Sequence, residues 1–197
     1  MKKLAFFDFD GTITAKDTLL EIIKYQKGTA RFYFGFLLNS PFLIGLKLKI
    51  ISNQNVKERM LTHFFKGMDL SSFQEACDLF AVKVLPSIIR AGAIAEINKL
   101  KESGFEVVVV SASVENWIKK WCDDAGIGLI ASRLEIVNNR LSGRLAGKNC
   151  NGEEKAIRIR SAYNLAHYND IYAYGDSGGD KQMLALATKA IYKPFRK

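Results

Sequence analysis

Residues 4–12 read Leu4-Ala5-Phe6-Phe7-Asp8-Phe9-Asp10-Gly11-Thr12, and this stretch says more about the fold than any other. Four apolar residues that end at an acid and a glycine predict a buried strand, residues 4–7, followed by a tight turn. Because strand side chains alternate, Asp8 and Asp10 are expected to share one side. Both carboxylates then lie at the carboxyl end of the strand, where open α/β sheets bind ligands. On this stretch alone, the alternative is a pair of solvated acids that cap the next helix.

The composition is that of an ordinary globular protein. The chain has 197 residues, 48% hydrophobic and 25% charged, which is enough for one domain with a small insertion. Its three cysteines are far apart and include no C-x-x-C pair, which disfavours a disulfide framework or a structural zinc site. Only four apolar residues precede Asp8, too few for a signal peptide. We therefore expect a cytoplasmic location, with peripheral attachment to the inner face of the membrane as the alternative.

The net charge of +9 attracts anions, which include nucleic acids, anionic lipids and phosphorylated metabolites. The sequence contains neither an arginine-rich arm nor an aromatic-basic platform, so we do not expect nucleic acid as a partner. A basic surface exposed to solvent is the other explanation for the charge.

Strand-like and helix-like segments alternate from residue 88 onward, which predicts a parallel sheet with helices on both faces. A hairpin is expected at 134–145, with its turn at Asn138-Asn139. The predicted fold class is α/β with a Rossmann-like sheet. Further strands are predicted at 105–110, 127–131, 171–174 and 189–192, and helices at 17–27, 54–66, 71–100, 114–125, 153–165 and 181–187.

Residues 15–87 are helix-like throughout and interrupt the first crossover between strands. We expect them to form an all-helical cap that lies over the carboxyl edge of the sheet. The predicted catalytic core then consists of residues 1–14 and 88–197.

Side chains suited to an anion follow the later strands. Ser111 comes directly after strand 105–110, and Ser113 lies near the next helix start, where a hydroxyl can hold a phosphate oxygen. Lys155 lies at the beginning of a helix, where the helix dipole disfavours a cation. We therefore expect Lys155 to reach an anion. Helix caps and an exposed surface charge are the alternatives.

The loop Gly175-Asp176-Ser177-Gly178-Gly179-Asp180 follows strand 171–174. Its glycines permit a tight loop, and Asp176 and Asp180 are four residues apart. Hard carboxylate oxygens at the end of a strand suit Mg²⁺, so this loop predicts a magnesium site. Acids in an ordinary turn are the alternative.

These sites, taken in order, resemble the four motifs of the haloacid dehalogenase superfamily over essentially the whole chain. The motif D-x-D-G-T matches residues 8–12, and the strand that ends in Ser or Thr matches at Ser111. The lysine at a helix start matches Lys155, and G-D-x-x-x-D matches Asp176 and Asp180. The helical insertion is similar to the type I cap of the phosphoserine-phosphatase-like branch. The resemblance implies a Rossmann-like core with that cap.

The resemblance also implies a Mg²⁺-dependent phosphomonoesterase that acts through an aspartyl-phosphate. Asp8 is then the nucleophile, and Asp10 protonates the leaving alcohol and later activates water. Dehalogenases of the superfamily lack the second acid of the first motif, so Asp10 favours phosphate over halide chemistry. Mg²⁺ is expected on Asp8, the carbonyl of Asp10 and Asp176, with Asp180 holding a metal-bound water or orienting Lys155. The expected phosphate-binding residues are Gly11, Thr12, Ser111, Ala112 and Lys155.

Within the cap, phosphoserine phosphatases recognise the amino and carboxyl groups of their substrate with an acid and a basic residue. Asp17 and Arg59 fall at comparable places in this sequence, although Asp17 is shorter than the usual glutamate. They are therefore the expected substrate-binding residues of the cap.

Residues 32–51 are nearly all apolar and contain Pro41, which breaks helices, so the segment predicts a helical hairpin. Its two apolar runs are too short to span a bilayer singly. The expected hairpin packs on the cap, forms a homodimer surface, or lies at a membrane interface with Lys47 and Lys49 at the headgroups. A hairpin that spans the membrane as a pair of helices is a further alternative.

A similar apolar cap segment occurs in the phosphatidylglycerophosphatase C type of this branch. This resemblance makes a lipid phosphate, such as phosphatidylglycerophosphate, the leading substrate. A small phosphorylated metabolite of the phosphoserine type is the alternative. A phosphotransferase that uses the same intermediate and a non-catalytic phosphate-binding module are two further alternatives.

Overall fold

A computed structural model describes residues 2–48 and 50–196 of the protein. Within these residues, five strands form one parallel sheet and two further strands form an antiparallel hairpin. The strands are β1 Lys2–Phe7, β2 Phe105–Val114, β3 Gly128–Ser132, β4 Leu134–Val137, β5 Arg140–Leu145, β6 Tyr168–Gly175 and β7 Lys189–Tyr192. The order across the sheet is β3-β2-β1-β6-β7, which makes β1 the central strand, and β4 and β5 form the hairpin.

The helices are α1 Thr18–Lys27, α2 Thr29–Lys47, α3 Asn53–Phe65, α4 Leu70–Lys83, α5 Leu85–Ile88, α6 Ala91–Glu102, α7 Glu115–Asp124, α8 Glu153–Ala162 and α9 Lys181–Leu184. Side chains of Asp17, Ser52 and Asp69 accept hydrogen bonds from the first N–H groups of α1, α3 and α4. These caps explain why the three helices begin where they do.

Alternate residues of β1 are buried on opposite faces of the sheet. Ala5 and Phe7 pack on the side covered by α6 and α7, whereas Leu4 and Phe6 pack with residues of α8 and α9. Because both faces are covered, residues 4–7 of the central strand are all apolar and buried. The predicted α/β fold with a parallel sheet and helices on both faces is confirmed.

The helical insert leaves the sheet and rejoins it at neighbouring points. Thr14 pairs with Ile89 in an antiparallel bridge, and the Arg90 N–H donates to the Ile13 carbonyl at 2.8 Å. Helices α1–α4 are therefore bounded by two extended linkers that lie side by side, just beyond the carboxyl end of β1.

The predicted continuous helix over 71–100 is wrong, because this segment forms α4, α5 and α6. Pro86 lies in the first turn of α5, where the N–H that proline lacks is not needed. Proline cannot continue α4, which ends at Lys83. Ile89 and Arg90 are extended because they form the second linker.

The predicted break at Pro41 is also wrong, because α2 continues through this residue. Proline leaves the carbonyl four residues earlier without its helical donor. Here the Ser40 hydroxyl donates to that carbonyl, on Leu37, at 2.8 Å. Residues 29–47 are thus one helix rather than a hairpin, and the headgroup contact predicted for Lys49 lies outside the described residues.

A search of the described helices finds none that is both long and apolar enough to cross a membrane.

The β4–β5 hairpin packs on helix α3. Its turn lies at Asn138 and Asn139, as predicted, and both residues have positive φ. The Thr62 hydroxyl of α3 donates to the Gly143 carbonyl at 3.1 Å. Gly143 has a φ of 86°, and a Cβ atom there would lie 2.5 Å from the Thr62 Cα, so only glycine fits. A segment far along the chain therefore completes the helical insert.

Candidate active site

The turn after β1 joins two of the predicted sites. The Thr12 hydroxyl donates to Asp8 Oδ2 at 3.1 Å, and the Asp8 N–H extends the sheet by donating to the Tyr174 carbonyl at 2.8 Å. Gly11 has a φ of 82°, and a Cβ atom there would lie 2.5 Å from Asp176 Oδ2. The glycine of the turn therefore lets the loop after β6 approach the end of β1.

Lys155 is buried between two carboxylates. Its Nζ lies 2.6 Å from Asp8 Oδ1 and 2.7 Å from Asp180 Oδ1, and its side chain is 1% exposed. Burial lowers the pKa of Lys155, but the two carboxylates outweigh burial and the net pKa lies above its ordinary value. Lys155 thus carries its charge and contacts two carboxylates, while its predicted contact with a phosphate stays a prediction.

Asp180 both positions Lys155 and closes the loop after β6. Its second oxygen, Oδ2, accepts from the Asp176 N–H at 3.1 Å, the Ser177 N–H at 2.9 Å and the Ser177 hydroxyl at 2.8 Å. Burial raises the pKa of Asp180, but Lys155 and Ser177 outweigh it and the net pKa is lowered. Of the two predicted roles of Asp180, this geometry matches the orientation of Lys155.

Asp8 is nearly as buried as Lys155. Burial raises the pKa of Asp8 to about 7, although Lys155 stabilises its charged form and lowers the pKa. A divalent cation bound to the Asp8 carboxylate would favour the charged form of Asp8 further.

The Asp10 carboxylate has different partners from that of Asp8. Its Oδ1 accepts from the Thr18 N–H at 2.7 Å, and its Oδ2 accepts from the Ser113 hydroxyl. Ser113 Oγ also lies 2.8 Å from Thr18 Oγ1. Asp10 therefore connects the start of α1 with the end of β2. Strand alternation does not place Asp8 and Asp10, because β1 ends at Phe7 and the turn follows.

Three carboxylates could hold a metal ion. Asp8, Asp176 and Asp180 each offer an oxygen, and these oxygens lie within 4.8 Å of one another. Hard oxygen donors suit Mg²⁺, so the donor set fits this ion. The Arg196 guanidinium also contacts Asp176 Oδ2. The metal ligands predicted from the sequence were Asp8, Asp176 and the backbone carbonyl of Asp10. The third carboxylate of the cluster is Asp180, and the Asp10 carbonyl stays a predicted ligand.

The end of β2 supplies backbone and hydroxyl groups. Ser111 is fully buried, and its hydroxyl accepts from the Ser113 N–H at 2.9 Å. The residues that follow, Ala112 and Ser113, line the cavity above the site. Ser111, which was predicted to bind phosphate, thus holds the backbone of Ser113, and Ser113 lines the cavity.

A cavity of about 550 Å³ lies between the sheet edge and the helical insert. Its floor is polar and includes Asp8, Asp10, Lys155 and Asp176. The insert contributes an apolar wall, formed by Leu19, Leu20, Phe36, Leu43, Leu46, Val56 and Met60.

Two of the polar residues that the insert brings to this cavity are Asp17 and Lys57. Asp17 accepts from the Leu19 N–H at 2.9 Å as the cap of α1. Lys57 was not among the substrate-binding residues predicted from the sequence. Its Nζ donates to the Ala112 carbonyl at 2.7 Å and to Asn149 Oδ1 at 3.0 Å. Burial lowers the pKa of Lys57, and the nearby carboxylates of Asp10 and Asp17 oppose this effect.

Arg59 lies on another side of α3 from Lys57. Its Nε donates to Asn39 Oδ1 at 3.0 Å, and its guanidinium lies 3.6 Å from the centre of the Phe42 ring. Val56 and Met60 mark the face of α3 that lines the cavity, and Lys57 and Arg59 lie about equally far around the helix on either side of it. Helical phase alone therefore does not separate the two cations.

Residues 5–185 match the family of haloacid dehalogenase-like hydrolases. The chain belongs to this family. The hydrolase is 33% identical over 195 residues to protein CicA of Caulobacter vibrioides, and the match covers 98% of this chain and 86% of CicA. It is 29% identical to the probable phosphatase Rv3661 of Mycobacterium tuberculosis, over 98% of this chain and 69% of the relative.

The fold of the hydrolase is similar to that of a substrate-bound phosphoserine phosphatase complex. The TM-score is 0.71 at 20% sequence identity, and the match covers 98% of this chain and 86% of the other. The family resemblance seen in the four motifs is confirmed, and so is the fold.

Proposed function

We propose that this hydrolase is a Mg²⁺-dependent phosphomonoesterase that acts through an aspartyl-phosphate on Asp8. The observation that carries the proposal is Lys155, which is buried between Asp8 and Asp180 beside the carboxylate cluster. A fixed ammonium next to a nucleophile suits phosphoryl transfer, because this reaction depends on positioning and on neutralising the phosphoryl oxygens. A relative named as a probable phosphatase supports the class.

The chemistry follows from the two acids of the turn. Asp8 attacks the phosphorus, the bond to the leaving alcohol breaks, and Asp8 carries the phosphoryl group until water releases it. Asp10 protonates the leaving oxygen and then accepts a proton from the attacking water. Thr18 and Ser113 hold the Asp10 carboxylate for both steps. Asp8, Asp176 and the Asp10 carbonyl would hold Mg²⁺, which would supply positive charge near the phosphoryl oxygens.

The phosphate is bound by groups around this cluster. Lys155 supplies charge, and Asp180 holds Lys155 in position. The remaining proposed phosphate-binding residues are Gly11, Thr12, Ser111 and Ala112.

We infer that residues 1–14 and 88–197 form the catalytic core and that residues 15–87 form the cap. The side-by-side linkers at 13–14 and 89–90 support this division. The β4–β5 hairpin belongs to the core segment by sequence but adds to the cap by packing on α3.

The relatives favour a small phosphorylated metabolite as the substrate. Phosphoserine phosphatases are among the similar proteins, both in sequence and in fold. Asp17 and Lys57 bring opposite charges from the cap to the cavity, which suits a substrate with an amino and an acidic group. Arg59, the expected partner of the acidic group, is instead held by Asn39 and Phe42.

A lipid phosphate is the second candidate substrate, and one observation favours it. Phe36, Leu43 and Leu46 of α2 line the cavity, so a substrate with an apolar alcohol would find apolar surface above the polar floor.

Phosphate release across a substrate panel tests the function. We expect Mg²⁺-dependent release from phosphoserine or sugar phosphates to exceed release from micellar phosphatidylglycerophosphate and lysophosphatidate. Asp8→Asn protein provides the blank. Preference for the lipids would transfer the assignment to the second candidate, and release from no member of the panel above the blank would contradict the phosphatase proposal.

Asp10→Asn should slow turnover by about 10²- to 10⁴-fold, because the amide can neither protonate the leaving group nor activate water. Mg²⁺ binding should persist, since the Asp10 backbone carbonyl is unchanged. Steady-state kinetics with a Mg²⁺ titration measure both quantities. The comparison variant is Asp69→Asn, which keeps a good helix cap far from the site. Wild-type turnover in Asp10→Asn would remove Asp10 from its role.

A further inference from the structure

Helix α2 has three distinct faces. Phe32, Gly35 and Asn39 lie on the buried face that packs within the insert. A second face carries Phe36, Leu43 and Leu46 to the cavity wall. The third face exposes large apolar side chains to solvent at helical spacing, and these are Tyr33, Phe34, Leu37, Leu38 and Ile44, followed by Leu48 at the end of the helix.

The exposed apolar face of α2 is extensive for a surface helix. Leu37 is 70% exposed, Phe34 63% and Ile44 58%. Isolated apolar residues on a surface are ordinary, but a continuous row of large ones marks an interaction site.

The sequence that contains and flanks α2 carries positive charge alone. Residues 22–57 contain no aspartate or glutamate. Arg31 and Lys47 are exposed at the two ends of α2. The same sequence segment contains six cationic residues, but Lys57 lines the cavity and Lys24 pairs with Glu21, so neither adds to the charge at this face.

We propose that the exposed face of α2 binds the surface of an anionic phospholipid bilayer. Apolar side chains along one face of a helix enter the region between headgroups and acyl chains, while flanking cations contact lipid phosphates. The row of apolar residues, with Arg31 and Lys47 at its ends, has this arrangement. In this arrangement the helix lies along the bilayer surface.

Charge also argues against a second copy of the chain as the occupant. A twofold pair built on this face would bring the cations at the ends of α2 close to those of the other copy. No acid within residues 22–57 could compensate them. An anionic lipid surface, in contrast, neutralises both ends at once.

The docking face adjoins the proposed active site through the same helix. Phe36, Leu43 and Leu46 line the cavity, whereas Leu37 and Ile44, which follow directly in sequence, face solvent. The site would therefore open close to the lipid surface. Binding to the surface needs no turnover, so it can be tested separately from the proposed phosphatase activity.

Flotation of the full chain with vesicles tests the proposal. We expect the wild-type protein and Asp8→Asn to bind vesicles of phosphatidylcholine with phosphatidylglycerol, and to bind vesicles of phosphatidylcholine alone weakly. Binding to the anionic vesicles should fall at high salt, because screening weakens the contribution of the lysines and arginine. The double variant Arg31→Gln/Lys47→Gln should bind about 25-fold more weakly, at about fivefold for each cation removed.

Phe34→Ser/Leu37→Ser should abolish vesicle binding, because it removes apolar area from the docking face. The matched control is Leu79→Ser/Val82→Ser on α4, where two exposed apolar residues are replaced in the same way. The control should bind as the wild type does. The thermal unfolding midpoint of each variant verifies that the protein is folded.

Three results would overturn the proposal. The first is a wild-type protein that fails to bind anionic vesicles. The second is equal loss of binding in the α2 and α4 variants, which would mean that the face is not specific. The third is a wild-type dimer, measured by light scattering, that Phe34→Ser/Leu37→Ser converts to a monomer while vesicle binding is unchanged. That result would make the face an interface between copies.

Discussion

Asp8→Asn is expected to lower phosphate release by at least about four orders of magnitude, which is the scale seen when an enzyme loses its nucleophile. A carboxamide is a poor nucleophile, so no phosphoryl group can be carried at this position. The fold should survive, because Lys155 keeps Asp180 as a partner at 2.7 Å. Single-turnover phosphate release with an aryl phosphate measures the chemical step directly.

The matched control for this change is Asp124→Asn on α7. Asp124 is 61% exposed and, among the described residues, pairs with Lys120 alone, so the same substitution should leave activity unchanged. Unfolding midpoints of both variants should lie close to that of the wild type. Phosphate release by Asp8→Asn at the wild-type rate would exclude Asp8 as the nucleophile and, with it, the proposed intermediate.

Lys155→Met is expected to lower both activity and stability. Without the ammonium, Asp8 and Asp180 become two buried carboxylates with no cation between them. Removing one partner of a buried ion pair costs about 3–5 kcal/mol of unfolding free energy. Loss of the charge that faces the phosphoryl oxygens should lower turnover by about 10²- to 10³-fold. Urea denaturation and steady-state kinetics measure the two effects.

A double-mutant cycle tests whether the stability lost by Lys155→Met comes from the ion pair with Asp8 or from lost packing. In the Asp8→Asn background one carboxylate is already neutral, so Lys155→Met should cost less unfolding free energy than it does in the wild type. Lys181→Met, at an exposed lysine of α9, should change neither quantity. If the cost of Lys155→Met were the same in both backgrounds, the ion pair to Asp8 would not contribute to stability.

The location of the site could be predicted from the sequence because parallel strands end at one edge. Asp8, Ser111 and Asp176 each come after an apolar run, and the carboxyl ends of such strands meet in a parallel sheet. Lys155 could be predicted from a local conflict, since a cation in the first turn of a helix opposes the helix dipole. These inferences need only strand direction and helix polarity, which local sequence determines.

The features that sequence could not give depend on contacts between distant residues. Pro41 is tolerated in α2 because the neighbouring Ser40 hydroxyl binds the freed Leu37 carbonyl, a contact that no periodicity reveals. The choice of Lys57 over Arg59 depends on how α3 is rotated against the core. That rotation is set by packing with residues about 90 positions later, such as Asn149.

The contact between α3 and the β4–β5 hairpin bears on the order of events during synthesis. Thr62 and Gly143 are 81 residues apart, so the insert is complete only after the ribosome has made most of the chain. Contacts between residues so distant in sequence slow folding, because a long loop must close before they form. Until residue 143 emerges, one side of α3 lacks its cover, and the nascent chain exposes it together with the apolar face of α2. We therefore expect chaperones to bind the early part of this protein during synthesis.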